Sequence, residues 1–178
     1  MLFDLQPVLI GDLLRLRPLV SGDFDDLFAV AADPLLWEQH PARDRWQKDV
    51  FSRLFDESLA SGGALVAEAM SDGQVIGSSR YFGYNEAASE IEIGWSFLAR
   101  KYWGGRYNRE MKRLMLAHAF RFVNQVVFLI GRNNIRSQRA IEKIGAVPAG
   151  SRRNAMGVEN LAYLITAAAF HSGALARS

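Results

Sequence analysis

Three features of this sequence predict an α/β (α+β) domain with a mixed, mostly antiparallel sheet flanked by helices. Apolar side chains alternate strictly in Glu90-Ile91-Glu92-Ile93-Gly94-Trp95-Ser96-Phe97, the period of a half-buried strand. Apolar residues recur at helical spacing in several other segments. The order of elements then sets the pairing. Three consecutive strands joined by short turns should be antiparallel, and a later strand–helix–strand passage should supply a parallel pair, because such a crossover needs a helix. A chain of 178 residues, 49% hydrophobic and 22% charged, can bury one full core. With no internal repeat or linker, residues 1–178 are read as one domain.

The elements follow in order. Leu13 to Leu19 alternates as an opening strand, and Ser21-Gly22-Asp23 offers a cap for a helix carrying Phe24, Leu27, Phe28 and Ala31. Asp33-Pro34 punctuates, and a short turn or helix follows. Trp46 to Ala60 is a second amphipathic helix, with Val50, Phe51, Leu54, Phe55 and Leu59 inward, ended by Ser61-Gly62-Gly63. Two strands flank the turn Ser71-Asp72-Gly73. Asn85 to Ser89 connects to the alternating strand, on which Ile91, Ile93, Trp95 and Phe97 are expected to share one face and Glu90, Glu92, Gly94 and Ser96 the other. Gly104-Gly105 leads into a helix over Tyr107 to Val123. Val126 to Gly131 is a buried strand, Asn134 to Ile144 a helix closed by Gly145, and Val147 to Arg153 and Glu159 to Ala167 the last strands.

Composition excludes several classes. There are no cysteines, hence no disulfide framework or thiolate chemistry. No apolar run approaches the roughly 20 residues of a membrane span. The opening MLFDLQPVLIGD lacks the marks of a signal peptide, so a cytoplasmic location is expected. His40, His171 and the aspartates show no metal-ligand spacing, and no Gly-x-Ser-x-Gly elbow is present. The net charge is only +2, with many basic residues after position 99. Such clustering suits nucleic acid, a membrane surface, a multiply phosphorylated small molecule, or simply a solvated helix face. The lack of an aromatic-basic signature argues against nucleic acid.

Three pieces in order, EIEIGWSF, YWGGRYNREMKRLMLAHAF and RNNIRSQRAIEKIGAV, resemble the GNAT superfamily of acyl-CoA-dependent N-acetyltransferases. Within it the chain is most similar to the ribosomal-protein N-terminal alanine acetyltransferases, the RimJ/RimL-like branch. The resemblance implies that the strand Glu90–Leu98 splays from its parallel neighbour and that the pantetheine arm of acetyl-CoA inserts there, against backbone groups of Trp95, Ser96, Phe97 and Leu98. It also implies that Trp103, Gly104, Gly105, Arg106, Tyr107 and Asn108 wrap the pyrophosphate, using helix N–H groups. Arg106 stands where a second glycine is usual. It either turns outward or places its guanidinium on a phosphate oxygen; sliding the alignment by one residue puts Gly105 there but loses the other matches, so the first alignment is kept.

Acetyl transfer to an amine needs a base for the amine, a donor for the carbonyl oxygen and an acid for the thiolate. The resemblance assigns the base to Glu92, with Glu90 in reserve, and the donor to a backbone N–H near Trp95 or Ser96. The tyrosine acid of many relatives is replaced by Ile141, and the branch's Asn-x-x-Ser motif makes Ser137 the candidate acid. Asn134 contacts pantetheine, caps its helix, or does both; Arg139 or Arg136 reaches the CoA phosphates or faces water. His118 reads as a core or boundary histidine. Trp37, His40, Arg43, Trp46, Tyr81 and Tyr84 are positioned to line an acceptor cleft. The expected partners are acetyl-CoA, with no metal, and a primary amine on a protein N-terminus or a small molecule. The alternative is a non-catalytic acyl-CoA sensor or a basic RNA-docking module. Monomer and homodimer both remain open.

Overall fold

The structure is a computed structural model that describes residues 2–173. Its eight strands are β1 (Leu9–Ile10), β2 (Leu14–Pro18), β3 (Ala64–Ala69), β4 (Val75–Asn85), β5 (Glu90–Leu98), β6 (Gln125–Ile130), β7 (Val147–Arg153) and β8 (Glu159–Thr166). They form one sheet in the order β1-β2-β3-β4-β5-β6-β8-β7. All pairs are antiparallel except β5–β6. The helices are α1 (Phe24–Ala31), α2 (Lys48–Ala60), α3 (Arg106–Ala119), α4 (Ile135–Lys143) and α5 (Ala167–Ser172). Among the described residues no helix is long and apolar enough to cross a membrane.

Two apolar layers hold the helices to the sheet. On one face Leu27 and Ala31 of α1 and Phe51 and Phe55 of α2 pack with Leu19, Val66 and Trp37. On the other, Met111, Leu114, Met115, Leu116 and Ala119 of α3 pack with Ile141 of α4, Phe170 of α5 and the inner residues of the strands. His118 belongs to this second layer: it is buried against Phe3 and Phe122, and its Nε2 lies 2.7 Å from the Asp4 carbonyl oxygen.

Element ends differ from expectation in ways that caps explain. Thr166 accepts a hydrogen bond from the Ala169 N–H and turns the end of β8 into α5. The third helix ends at Ala119, where Phe120 to Val123 fold into turns rather than continuing the helix. Strand β1 was not anticipated, since two residues carry no period.

The strand pair β5–β6 positions the site. Its parallel register runs Glu90–Gln125, Ile91–Val126 and Glu92–Val127, and there it stops. Beyond Glu92, β5 stays with β4 and β6 stays with β8, so the two strands diverge into an open wedge. A second irregularity lies on the β4 side. Ser78 faces Phe97 and Arg80 faces Gly94, so the single residue Ser79 opposes both Trp95 and Ser96. This is a β-bulge, and Trp95 adopts a φ of 50° within it.

The bulge overturns the expected face assignment. Ile91 and Ile93 do lie in the α3 layer. Trp95 instead stands over Arg80 and Phe82, and Phe97 packs on Trp37 and Phe51 in the α1–α2 layer. Ser96 and Leu98 turn to the α3 face. One inserted residue shifts the alternation, as the two-residue period requires.

Candidate functional site

Glu92 sits at the apex of the wedge, on the last paired residue of β5. Its carboxyl is pushed up to about 7, chiefly by burial, with Glu90 adding to the rise and Arg80 and Arg152 opposing it. Gly94 keeps space for it, since a Cβ there would lie 3.1 Å from Glu92 Oε1. Glu90 differs, because Arg152 Nη1 donates to it at 2.6 Å and Gln125 Nε2 at 3.1 Å. That pairing leaves Glu90 poorly suited to the reserve role.

Two arginines that sequence reasoning did not single out stand here, Arg80 beside Glu92 and Arg45 beside Arg80. Arg80, buried on β4, lies diagonally across the strands from Glu92, stacks on Trp95 at 4.2 Å and donates from Nη2 to Ser58 Oγ at 2.6 Å. Burial lowers it to about 10. Arg45 lies over Trp37 at 5.4 Å and is lowered to about 10 by burial and by the Arg80 charge. His40, beside it, is driven down to about 3 by burial and Arg45, so its ring is neutral. A neutral imidazole has one acceptor nitrogen, for which the Ala42 N–H and the Arg45 guanidinium compete. The loop that carries these groups closes over the end of β6, where Pro41 packs so tightly on Gly131 that a Cβ there would meet it at 2.6 Å. Of the other acceptor-side candidates, Trp37 and Tyr81 are core residues, Tyr84 packs against the α3 layer, and Arg43 and Trp46 are exposed.

The loop after β5 opens toward solvent. Gly104 and Gly105 take φ values of 101° and 112°, which side-chain-bearing residues rarely adopt. Gly105 is the N-cap of α3 and provides no side-chain bond, so Arg106, Tyr107 and Asn108 begin the helix without a side-chain cap. Arg106 is therefore helical and needs no glycine; Gly105 supplies the second left-handed residue. Arg106 is exposed, and Tyr107 packs edge-on against Tyr102 at 4.7 Å. Trp103 donates from Nε1 to the Leu98 carbonyl at 2.9 Å, while Arg136 of α4 stacks on its ring at 4.0 Å. This stack joins the loop to the start of α4.

On α4, Asn134 caps the helix, accepting the Ser137 N–H at 3.2 Å. Ser137 is half-buried and Arg139 exposed; Ile141 is buried in the α3 layer. Glu110 is structural. Its Oε1 accepts from the Asp12 N–H at 2.9 Å, and its Oε2 from Leu13 at 2.8 Å and Leu14 at 2.9 Å, tying α3 to the β1–β2 turn.

The group most clearly missed from sequence is Lys112. It is 2% exposed, its Nζ hydrogen-bonds Ser96 Oγ and approaches Ser79 Oγ at 3.4 Å, and burial alone lowers it to about 7. A signal existed: Lys112, Met115, Leu116 and Ala119 form one i, i+3, i+4, i+7 stripe, so the lysine points inward with them. Among the described residues no cluster of side chains suited to a metal ion occurs.

Solved structures share this fold. A GCN5-related N-acetyltransferase from Brucella melitensis superposes with a TM-score of 0.82 at 19% identity, covering 97% of this chain and 83% of its own. Mycobacterium smegmatis RimJ, in complex with CoA-disulfide, gives 0.68 at 18% identity over 87% and 82%. Spermidine N-acetyltransferase from Vibrio cholerae, in complex with CoA and spermine, gives 0.69 at 15% identity over 90% and 97%. At such identities these likenesses speak to the fold. No curated protein sequence matches the chain. The acetyltransferase (GNAT) domain model, however, matches residues 14–147, and with the splayed parallel pair and the glycine-led helix start it establishes that the chain belongs to the GNAT acetyltransferase family.

Proposed function

We propose that the protein transfers an acetyl group from acetyl-CoA to a primary amine by direct attack within a ternary complex. The observation that carries this reading is Glu92: an unpaired carboxyl at the apex of the wedge, held near 7 by burial. A base with its proton affinity near the working pH can take a proton from an ammonium group and release it to solvent. The pantetheine arm lies in the wedge against Trp95 to Leu98, and the bulge at Trp95–Ser96 turns a backbone N–H to the developing oxyanion. The pyrophosphate meets the N–H groups of Arg106, Tyr107 and Asn108. Gly104 and Gly105 shape the approach, and Trp103, Asn134 and Arg139 flank the arm.

The amine enters from the α1–α2 side, between the loop that carries Trp37 and His40 and strand β4. Glu92 deprotonates it, and the amine nitrogen attacks the thioester carbonyl. The C–S bond of the tetrahedral intermediate breaks, and Ser137 gives its hydroxyl proton to the CoA thiolate as it receives the second proton of the amine nitrogen. The acceptor is a protein N-terminus, in keeping with the RimJ-like resemblance, or a small-molecule amine.

The test is thiol release from acetyl-CoA across a panel of N-terminal peptides, polyamines and amino acids. Wild type should release thiol with at least one amine, at a rate rising with pH through about 7 as Glu92 ionises. Glu92→Gln should lower kcat about 10²- to 10⁴-fold and flatten that rise. CoA binding with no amine-dependent release anywhere in the panel would sink the reading.

A further inference from the structure

The cluster of Ser96, Lys112 and Ser79 lends no side chain to the transfer just described, yet it has the parts of a nucleophile and its base. Ser96 is exposed on β5, four residues beyond the point where β5–β6 pairing ends. The bulge turns its side chain to the α3 face, where the Lys112 Nζ meets it. Behind it, Ser79 is fully buried with its Oγ 2.7 Å from Ser96 Oγ. Lys112 contacts the Phe128 ring at 5.6 Å and takes part in none of the ion pairs among the described residues. A lysine enclosed by serines and an aromatic ring, without a carboxylate, is poised to be an uncharged amine, the form that accepts a proton. Burial accounts for the whole lowering, with no charged neighbour contributing.

We propose that Ser96 and Lys112 act as a nucleophile–base pair that hydrolyses the acyl thioester when no amine is present, making the protein an acyl-CoA thioesterase as well. The inference rests on the proposed seat of the thioester against Trp95 to Leu98. In the first step Ser96 Oγ attacks the thioester carbonyl while Lys112 takes the hydroxyl proton. The C–S bond breaks, the acetyl group remains as an ester on Ser96, and Lys112 passes its proton to the CoA thiolate. In the second step water attacks the ester carbonyl, giving its proton to Lys112. The C–O bond to Ser96 breaks, and Lys112 reprotonates the serine. The sum is acetyl-CoA and water to acetate, free CoA and a proton, with no further reactant. Ser79 holds Ser96 in place as a positioning residue. The backbone N–H groups at the bulge serve this oxyanion as they serve that of amine transfer.

The test uses the full chain with acetyl-CoA in amine-free buffer. Wild type should release thiol above the buffer rate, and an acid quench during turnover should leave one acetyl group on the peptide that contains Ser96. Release should rise with pH through about 7. Ser96→Ala and Lys112→Met should each cut it at least about 100-fold, and the double variant should be little worse than either, as for residues acting as one unit. CoA-dependent thermal stabilisation identifies any variant that fails to fold, and the acetyl-Ser96 adduct is read on wild type alone. Amine-dependent transfer without amine-free hydrolysis, or hydrolysis undiminished in Ser96→Ala, overturns the inference and leaves the transferase reading standing. Hydrolysis with no transfer to any amine does the reverse.

Discussion

Replacing Lys112 by methionine should make the protein more resistant to acid, with a size that follows from burial. The folded chain holds Lys112 at about 7, against an ordinary lysine value of 10.5. Between those values the unfolded chain binds more protons than the folded one, so wild-type stability rises with pH through the window and falls as pH drops toward 7. Integrated over that window, the cost of the lysine is larger at about pH 6 than at about pH 9 by roughly 2–3 kcal/mol. Methionine lacks the hydrogen bonds to Ser96 and Ser79 at both pH values, so that loss cancels in the comparison. Urea denaturation of both proteins at the two pH values gives the double difference. Lys112→Met should gain about 2–3 kcal/mol on wild type between about pH 9 and about pH 6. A difference independent of pH within about 0.5 kcal/mol would show that Lys112 is as easily charged when folded as when unfolded, and would refute the argument from burial.

Three other outcomes are expected. Glu110→Gln keeps the shape but sets an NH₂ where a carboxylate oxygen accepts, so at least one of the Asp12, Leu13 and Leu14 N–H groups loses its partner; urea denaturation should show a loss of about 1–3 kcal/mol. Asp23→Asn breaks a pair whose carboxylate receives Arg17 at 2.7 and 2.8 Å and the Val20 N–H at 2.9 Å, at a cost of about 2–4 kcal/mol at neutral pH by the same method. Burial raises the Asp23 carboxyl but those bonds outweigh it and lower it, so this contribution is present above the ordinary aspartate value of 3.8 and vanishes as pH falls below it. Gly105→Ala forces a side chain to φ 112° at the start of α3 and should weaken CoA binding, measured by calorimetry, about 10-fold or more.

Much of this architecture was legible because it depends on short-range pattern. The alternation over 90–97 marked β5, the strand–helix–strand passage marked the parallel pair, and Asn134 was already a reasonable cap. Glu92 could be named ahead of Glu90 from its motif, but the physical reason could not, because that turns on Arg152, which pairs with Glu90 from another strand. The bulge was hidden for a different reason. Residue types at 91, 93, 95 and 97 stay apolar straight through it, and only the positive φ of Trp95 and the cross-strand register reveal the slip. Tryptophan and phenylalanine find an apolar layer on either face of this sheet, so the pattern looked unbroken. Arg80 and Arg45 escaped notice because a buried arginine has no short-range signature; their surroundings come from elements far apart in the chain.

The bulge at Trp95 also bears on how such a protein can change. Beyond it, β5 keeps its pairing with β4 across one extra residue. Deleting the Trp95 codon would restore one-to-one pairing with β4 and leave Ser96 and Phe97 on their present faces, removing only the ring that stands over Arg80. A lineage could thus lose that ring by a length change, with no substitution at any position. Residue count in this strand is itself an inherited trait of the site.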